Sequence, residues 1–177
     1  MARSAERWPT PTPAGDLPAP ALALGAEFVI VGAGGARRTV PADAFFEDLF
    51  TTAMGENELL VEVRVPKYTG WGACYEKFTR VAQAWSICAV AAAVRVEDGN
   101  IAEARVGLTN MGSVPVRATA AEQALVGQPA TADAIKAATA SAGDGTTPPV
   151  DANADADYRR HLAGVLASRA VLAAAGA

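Results

Sequence analysis

The apolar and polar positions fall into two textures. Up to about residue 110 they alternate in short runs separated by turn residues; after Pro115 they recur at helical spacing. Glu27-Phe28-Val29-Ile30-Val31 and Arg37-Arg38-Thr39-Val40 flank the cluster Gly32-Ala33-Gly34-Gly35, which predicts a β-hairpin. Residues 41–50 predict a short helical turn with Phe45, Phe46, Leu49 and Phe50 on its buried side. In residues 58–65 Leu59, Val61, Val63 and Val65 alternate with Leu60, Glu62 and Arg64, a strand that Pro66 ends. Residues 73–80 predict a further strand, with Tyr75, Lys77 and Thr79 opposite Cys74, Glu76, Phe78 and Arg80.

Residues 85–96 are small and apolar, and their periodicity suits a helix or a strand. Asp98-Gly99 and the β-rich run at 101–108 favour two long antiparallel strands. Thr119-Ala120-Ala121-Glu122 has the capping-box pattern, opening a helix that Gly127 stops. A second helix is expected over 131–142, ending at Gly143. A third is expected over 155–174, with Tyr158, Leu162, Val165, Leu166 and Leu172 on one face and Asp155 and Asp157 at its positive end. From residue 67 onward the order is three antiparallel strands and then three helices, an α+β arrangement. Residues 1–20 carry Pro9, Pro11, Pro13, Pro18 and Pro20, so they predict a lead-in without regular helix or central strand.

With 177 residues, 51% hydrophobic and 19% charged, the chain is long enough for one domain or one plus part of another, and too apolar for global disorder. Fifteen basic against nineteen acidic residues leave −4, which argues against nucleic acid as a partner. One histidine (His161) and two cysteines (Cys74, Cys88) are too few for a zinc or iron–sulfur site. The cysteines read as small core residues in a reducing compartment, and His161, beside Arg159 and Arg160, as half-exposed surface. Asp151, Asp155 and Asp157 lack the glycine and terminal glutamate of a calcium loop. No run approaches the roughly 20 apolar residues of a membrane span, and residues 1–20 show no secretion signal, so a cytoplasmic location is expected. Gly32 and Gly34 give half of a dinucleotide-loop motif. Position 37 is Arg, however, and Pro41 follows where a helix is needed, so the cluster reads as a turn.

Lys77, inside a strand, and Trp85, eight positions later, stand apart. A cation and an aromatic platform suit a planar ligand that takes on negative charge. A surface lysine and a packed tryptophan are the alternative reading of the same spacing.

Several segments come in a recognisable order. They are Asp16-Leu17-Pro18, the hairpin at 28–40, Pro41-Ala42-Asp43-Ala44-Phe45-Phe46, Glu58-Leu59-Leu60-Val61-Glu62-Val63-Arg64-Val65-Pro66 and Tyr75-Glu76-Lys77-Phe78. Residues 101–108, Pro115-Val116-Arg117-Ala118 and Asp157-Tyr158-Arg159-Arg160-His161-Leu162 follow. Together they resemble the flavin-binding (medium) subunit of molybdenum hydroxylases, the carbon monoxide dehydrogenase and xanthine dehydrogenase group, from about residue 15 onward. Order and spacing carry the resemblance.

The resemblance implies a Pro-rich lead-in over 1–25, the C-terminal remnant of an FAD-binding domain over 26–66, and over 67–177 the C-terminal domain of such a medium subunit. The expected fold is α+β: a short β-hairpin, then a three-stranded antiparallel sheet packed on a three-helix bundle. The implied cofactor is FAD, receiving electrons from [2Fe–2S] clusters and passing them to an acceptor. The implied partners are a molybdenum-cofactor subunit and a [2Fe–2S] subunit.

By the same resemblance Asp16 makes polar contacts to the cofactor, and Leu60 offers its backbone carbonyl to the flavin ring. Lys77 sits near the pyrimidine end of the ring, where its charge favours the reduced form, and Trp85 covers the ring. Ala84 stands where the family usually has an acidic residue, and the glycine-rich loops that cradle the pyrophosphate have no counterpart here. FAD is therefore expected to bind this chain alone weakly or not at all. The alternative reading is a non-catalytic module for subunit interaction or an inactive truncated remnant.

Overall fold

The computed structural model describes residues 12–176, so Pro9 and Pro11 of the predicted lead-in lie outside the described residues. The first element corrects the proline expectation. Helix α1 (Pro18–Ala23) forms because Pro18 occupies its first turn, where no amide partner exists to lose. Strands β1 (Glu27–Val31) and β2 (Arg37–Pro41) are the expected hairpin, with Phe28 opposite Val40 and a 3-10 turn at Ala33–Gly35 between them.

Helix α2 (Ala42–Phe45) leads into β3 (Phe46–Asp48) and β4 (Thr51–Thr52). Phe28, Phe45 and Phe46 pack ring to ring in a small N-terminal core. Leu49 and Phe50 are not on the buried side as expected but exposed, 51% and 62%, at the tip of the β3–β4 turn. Phe50 adopts a positive φ of 56° there.

Strand β5 (Leu59–Arg64) pairs with the free side of β1, giving the order β2-β1-β5. Its expected alternation does not hold. The register shifts between Val29 and Ile30, so that Glu62 faces Val29 while Leu60 faces Ile30. Val61 is the extra residue of a bulge, and Leu60 and Val63 both pack on the N-terminal core while Leu59, Val61 and Val65 are exposed.

The larger layer is a sheet of order β6-β7-β8-β9, from β6 (Trp71–Phe78), β7 (Cys88–Glu97), β8 (Asn100–Thr109) and the two-residue β9 (Val116–Arg117). Three long antiparallel strands were expected, and β9 is a short addition. The Asp98-Gly99 turn joins β7 to β8 as expected, both residues at positive φ. Strand β7 is buried on both faces, which explains its unbroken apolar run. Cys88, Val90, Ala92 and Val94 join the main core, whereas Ala89, Ala91 and Ala93 alternate with them toward the opposite face.

Helices α3 (Thr119–Leu125), α4 (Ala132–Thr139) and α5 (Ala156–Ala175) cover one face of the sheet, and α1 lies against the other. Asp155 caps α5 by accepting from the Tyr158 amide at 2.7 Å, as its position predicts. The predicted capping box of α3 is absent. Ala118 occupies the N-cap position, and the Glu122 carboxylate instead accepts from the Val106 amide at 2.7 Å and from Arg117 at 2.6 Å. A tertiary contact has taken the carboxylate. On α5, Leu162 and Leu166 are buried as expected, but Tyr158 is 44% exposed and the adjacent Arg159 is fully buried in its place.

Candidate functional site

Strand β6 directs Tyr75 and Lys77 to the sheet face on which α1 lies. Cys74, on the other face, packs on the main core. Asp16 reaches this face because three contacts hold the preceding segment and α1 to the sheet. The Asn110 amide donates to the Pro13 carbonyl at 2.8 Å, the Tyr68 hydroxyl to the Leu24 carbonyl at 2.7 Å, and Arg105 to the Ala23 carbonyl at 3.4 Å. Gly107 of β8 lets α1 approach; a Cβ there would collide with the Ala19 carbonyl.

Asp16 is the hub of the site. Lys77 Nζ lies 2.9 Å from its carboxylate, the Tyr75 hydroxyl donates to Oδ1 at 3.1 Å, and the Ser86 hydroxyl donates to Oδ1 at 3.3 Å. The Tyr75 oxygen also stands 3.5 Å from Thr109 Oγ1. Burial pushes the Tyr75 phenol up to about 12; the nearby Asp16 charge adds to this and the Thr109 contact opposes it. Tyr75 is therefore a neutral donor at any ordinary pH. The pair itself is partly open, with Lys77 and Asp16 side chains 27% and 39% exposed.

Trp85 follows a loop that the Ile87 amide closes by donating to the Phe78 carbonyl at 2.9 Å. Asn110 donates to the Ser86 carbonyl at 2.8 Å, and Arg159 donates to the Ile87 carbonyl. Trp85 itself is 65% exposed, next in sequence to Ser86 and so one residue from the Asp16 cluster. Beside it opens a cavity of about 490 Å³, lined among others by Trp85, Arg80, Leu49, Ile87, Asn110 and Arg159.

The structure thus brings Asp16 and Lys77 into contact; Trp85 is the chain neighbour of Ser86, and its side chain lines the cavity with Arg80 and Arg159. Leu60 is elsewhere, half-buried on β5 against the N-terminal core. β5 is an outer strand, so the backbone groups on its far side have no ladder partner within its sheet. Tyr75, Ser86 and Thr109 are additions that the sequence pattern did not single out. Only Tyr75 carried a signal, two positions from Lys77 on the same strand face. Both cysteines are free, and burial raises both thiols, that of Cys88 to about 12. They behave as the core residues expected.

Residues 73–174 match the family described as "CO dehydrogenase flavoprotein C-terminal domain". The chain belongs to this flavoprotein family. Residues 10–68 match "FAD binding domain in molybdopterin dehydrogenase". The chain is 38% identical over 165 residues to the carbon monoxide dehydrogenase medium chain of Hydrogenophaga pseudoflava, covering 92% of this chain and 56% of the relative. It is 36% identical to that of Afipia carboxidovorans, covering 90% and 55%. The chain spans little more than half the length of these curated relatives.

The solved carbon monoxide dehydrogenase from H. pseudoflava that lacks the Mo-pyranopterin moiety aligns with a TM-score of 0.85 at 40% identity, covering 94% of this chain and 58% of that one. Quinoline 2-oxidoreductase from Pseudomonas putida 86 aligns with a TM-score of 0.89 at 24% identity, covering 97% and 59%, and shares the fold. The expected family and α+β architecture of this flavoprotein chain are thereby shown. Among the described residues no helix is long and apolar enough to cross a membrane.

Proposed function

We propose that this flavoprotein chain supplies one wall of an FAD site in the medium subunit of a molybdenum hydroxylase. The Asp16–Lys77 pair, backed by Tyr75 and by Ser86, whose chain neighbour is the exposed Trp85, carries the reading. A polar cluster beside a solvent-facing indole fits the ring end of a flavin: one edge needs hydrogen-bond partners and the face needs an apolar plate. The pyrophosphate end finds no match among the described residues. The turn at Ala33–Gly35 is exposed and runs into β2, not into a helix whose amide groups hold phosphate.

Bound FAD would accept electrons from the iron–sulfur partner and yield them to an acceptor. Lys77 is not a lone cation, as the resemblance implied. Its charge is shared with Asp16, so the ring meets a Lys–Asp dipole whose orientation Tyr75 and Ser86 hold. Asp16 accepts and Lys77 donates, which positions the polar edge of the ring. Trp85 lies over the ring and excludes water. Leu60 offers a backbone acceptor from the outer strand β5. No described residue is assigned to the pyrophosphate end, and the chain covers 56% of its relative. The partners are then a molybdenum-cofactor subunit and a [2Fe–2S] subunit.

The test is equilibrium titration of FAD, read by flavin fluorescence, into the chain alone and into an equimolar mixture with the N-terminal half of a medium subunit. Weak binding alone, tight binding in the mixture and at least a tenfold loss with Lys77→Ala are expected. Tight stoichiometric binding by the chain alone overturns the divided site. No binding in the mixture favours a module for subunit interaction.

A further inference from the structure

On the opposite side of the sheet from Asp16, α4 and α5 bound a groove of about 310 Å³. Its floor is apolar, formed by Ala140, Gly164 and Val165, and its rim carries Lys136, His161 and Arg169. The two helices close beneath it: a Cβ on Gly164 would lie 2.9 Å from the Ala140 carbonyl oxygen.

The rim residues share a property with exposed Arg37, Lys67 and Arg80, but only at the rim do such residues surround an apolar groove. Lys136, His161 and Arg169 are exposed, and none takes part in an ion pair or a side-chain hydrogen bond with another described residue. In contrast Arg38, Arg64, Arg95, Arg117, Arg159 and Arg160 are all paired with carboxylates. In a chain of net charge −4, two unpaired cations and a histidine thus stand around one apolar floor.

We propose that this groove docks an acidic helical segment of a partner protein, with one apolar side chain in the groove and carboxylates on either side. Charge selects the class, since a negatively charged partner gains from the two unneutralised cations Lys136 and Arg169, with the His161 ring as a further hydrogen-bonding group. Spacing selects the form. His161 and Arg169 lie eight positions apart on α5, roughly 12 Å along its axis at 1.5 Å per residue. Carboxylates at positions i and i+8 of a facing helix match them, with the apolar residue at i+4 over Val165. A groove of about 310 Å³ admits a side chain or two, not a folded domain. The docking does not depend on the flavin site.

The experiment is an amide NMR titration of the full chain with three probes: a helical peptide carrying Glu at i and i+8 around Leu at i+4, the same peptide with both Glu replaced by Gln, and inorganic phosphate. Saturable shifts confined to α4 and α5 are expected with the Glu peptide. Affinity should fall at least tenfold for the Gln peptide and tenfold for the Lys136→Glu/Arg169→Glu variant, whose thermal midpoint stays unchanged. Absence of saturable shifts, shifts centred elsewhere, or equal affinity for the Glu and Gln peptides overturns the proposal. Phosphate reproducing the same shifts also overturns it, because the groove is then a simple anion site.

Discussion

Lys77 and Asp16 are 61 positions apart in the chain, yet the ammonium nitrogen lies 2.9 Å from the carboxylate. Nothing local brings them together. The contact exists because α1 lies flat on β7 and β8 and carries the turn before it across the sheet face. It is the pair on which the proposed flavin wall is built.

Asp16→Asn should separate site from scaffold. A partly exposed ion pair contributes about 1 kcal/mol or less, so the thermal midpoint should change little. The Tyr75 phenol, held up in part by the Asp16 charge, should titrate lower in the variant while staying above its ordinary 10.0 because burial remains. Ultraviolet absorbance of the phenolate across an alkaline titration reads this shift. An unmoved Tyr75 titration would show that the two groups are not coupled.

Alkaline pH should destabilise the fold over a defined window. Tyr75 and Cys88 both titrate near 12 when folded, against ordinary values of 10.0 and 9.0. The folded state thus holds these protons more tightly than the unfolded state. Their stabilising contribution is complete below pH 9 and is lost as pH rises through 12. Urea midpoints measured from about pH 8 upward should fall, and fall less steeply in Tyr75→Phe and in Cys88→Ala.

Gly107→Ala is expected to damage the site from a distance. The added methyl collides with the Ala19 carbonyl, so α1 must lift from β8. Overpacking of this kind costs about 1–3 kcal/mol. Movement of α1 should also loosen the Asp16–Lys77 contact, so flavin affinity in the complemented protein should fall along with the urea midpoint. A variant that loses stability while keeping full affinity would uncouple α1 from the site.

Arg159 tests how the loop before β7 is held. It is fully buried, donates to the Ile87 carbonyl and lies 2.8 Å from the Asp151 carboxylate. Asp151→Asn leaves the buried Arg159 charge without its counter-ion, and since the lost carboxylate is 44% exposed the loss is about 1–2 kcal/mol, less than for a fully buried pair. Adding Arg159→Met removes that charge and should restore part of the lost stability. Chemical denaturation of the single and double variants decides; a double variant weaker than Asp151→Asn would contradict this role of the buried charge.

Elements set by local pattern were legible in the sequence. The Asp98-Gly99 hairpin and the start of α5 at Asp155 follow from turn and cap chemistry alone. Elements set by tertiary contact were not. Glu122 carries a capping-box signature but commits its carboxylate to Val106 and Arg117, a competition invisible along the chain. Val61 breaks the alternation of β5 through a bulge that its partner strand imposes. Arg159, two positions from the surface residue His161, is the largest fully buried side chain among the described residues. In the site, Lys77 and Trp85 were visible as unusual residues and Asp16 through family resemblance. Tyr75 and Ser86 became partners only when a residue 59 and 70 positions away arrived beside them.

The proposed wall sets a flavin ring against Lys77 and Trp85. Photolabelling with 2-azido-FAD, whose azide sits at the pyrimidine end of the ring, in the chain complemented by the N-terminal half of a medium subunit, examines this most directly when followed by peptide mass mapping. Adducts within residues 75–86, suppressed by excess FAD, are expected. Labelling confined to α4 and α5, or no suppressible labelling of this chain, would contradict it.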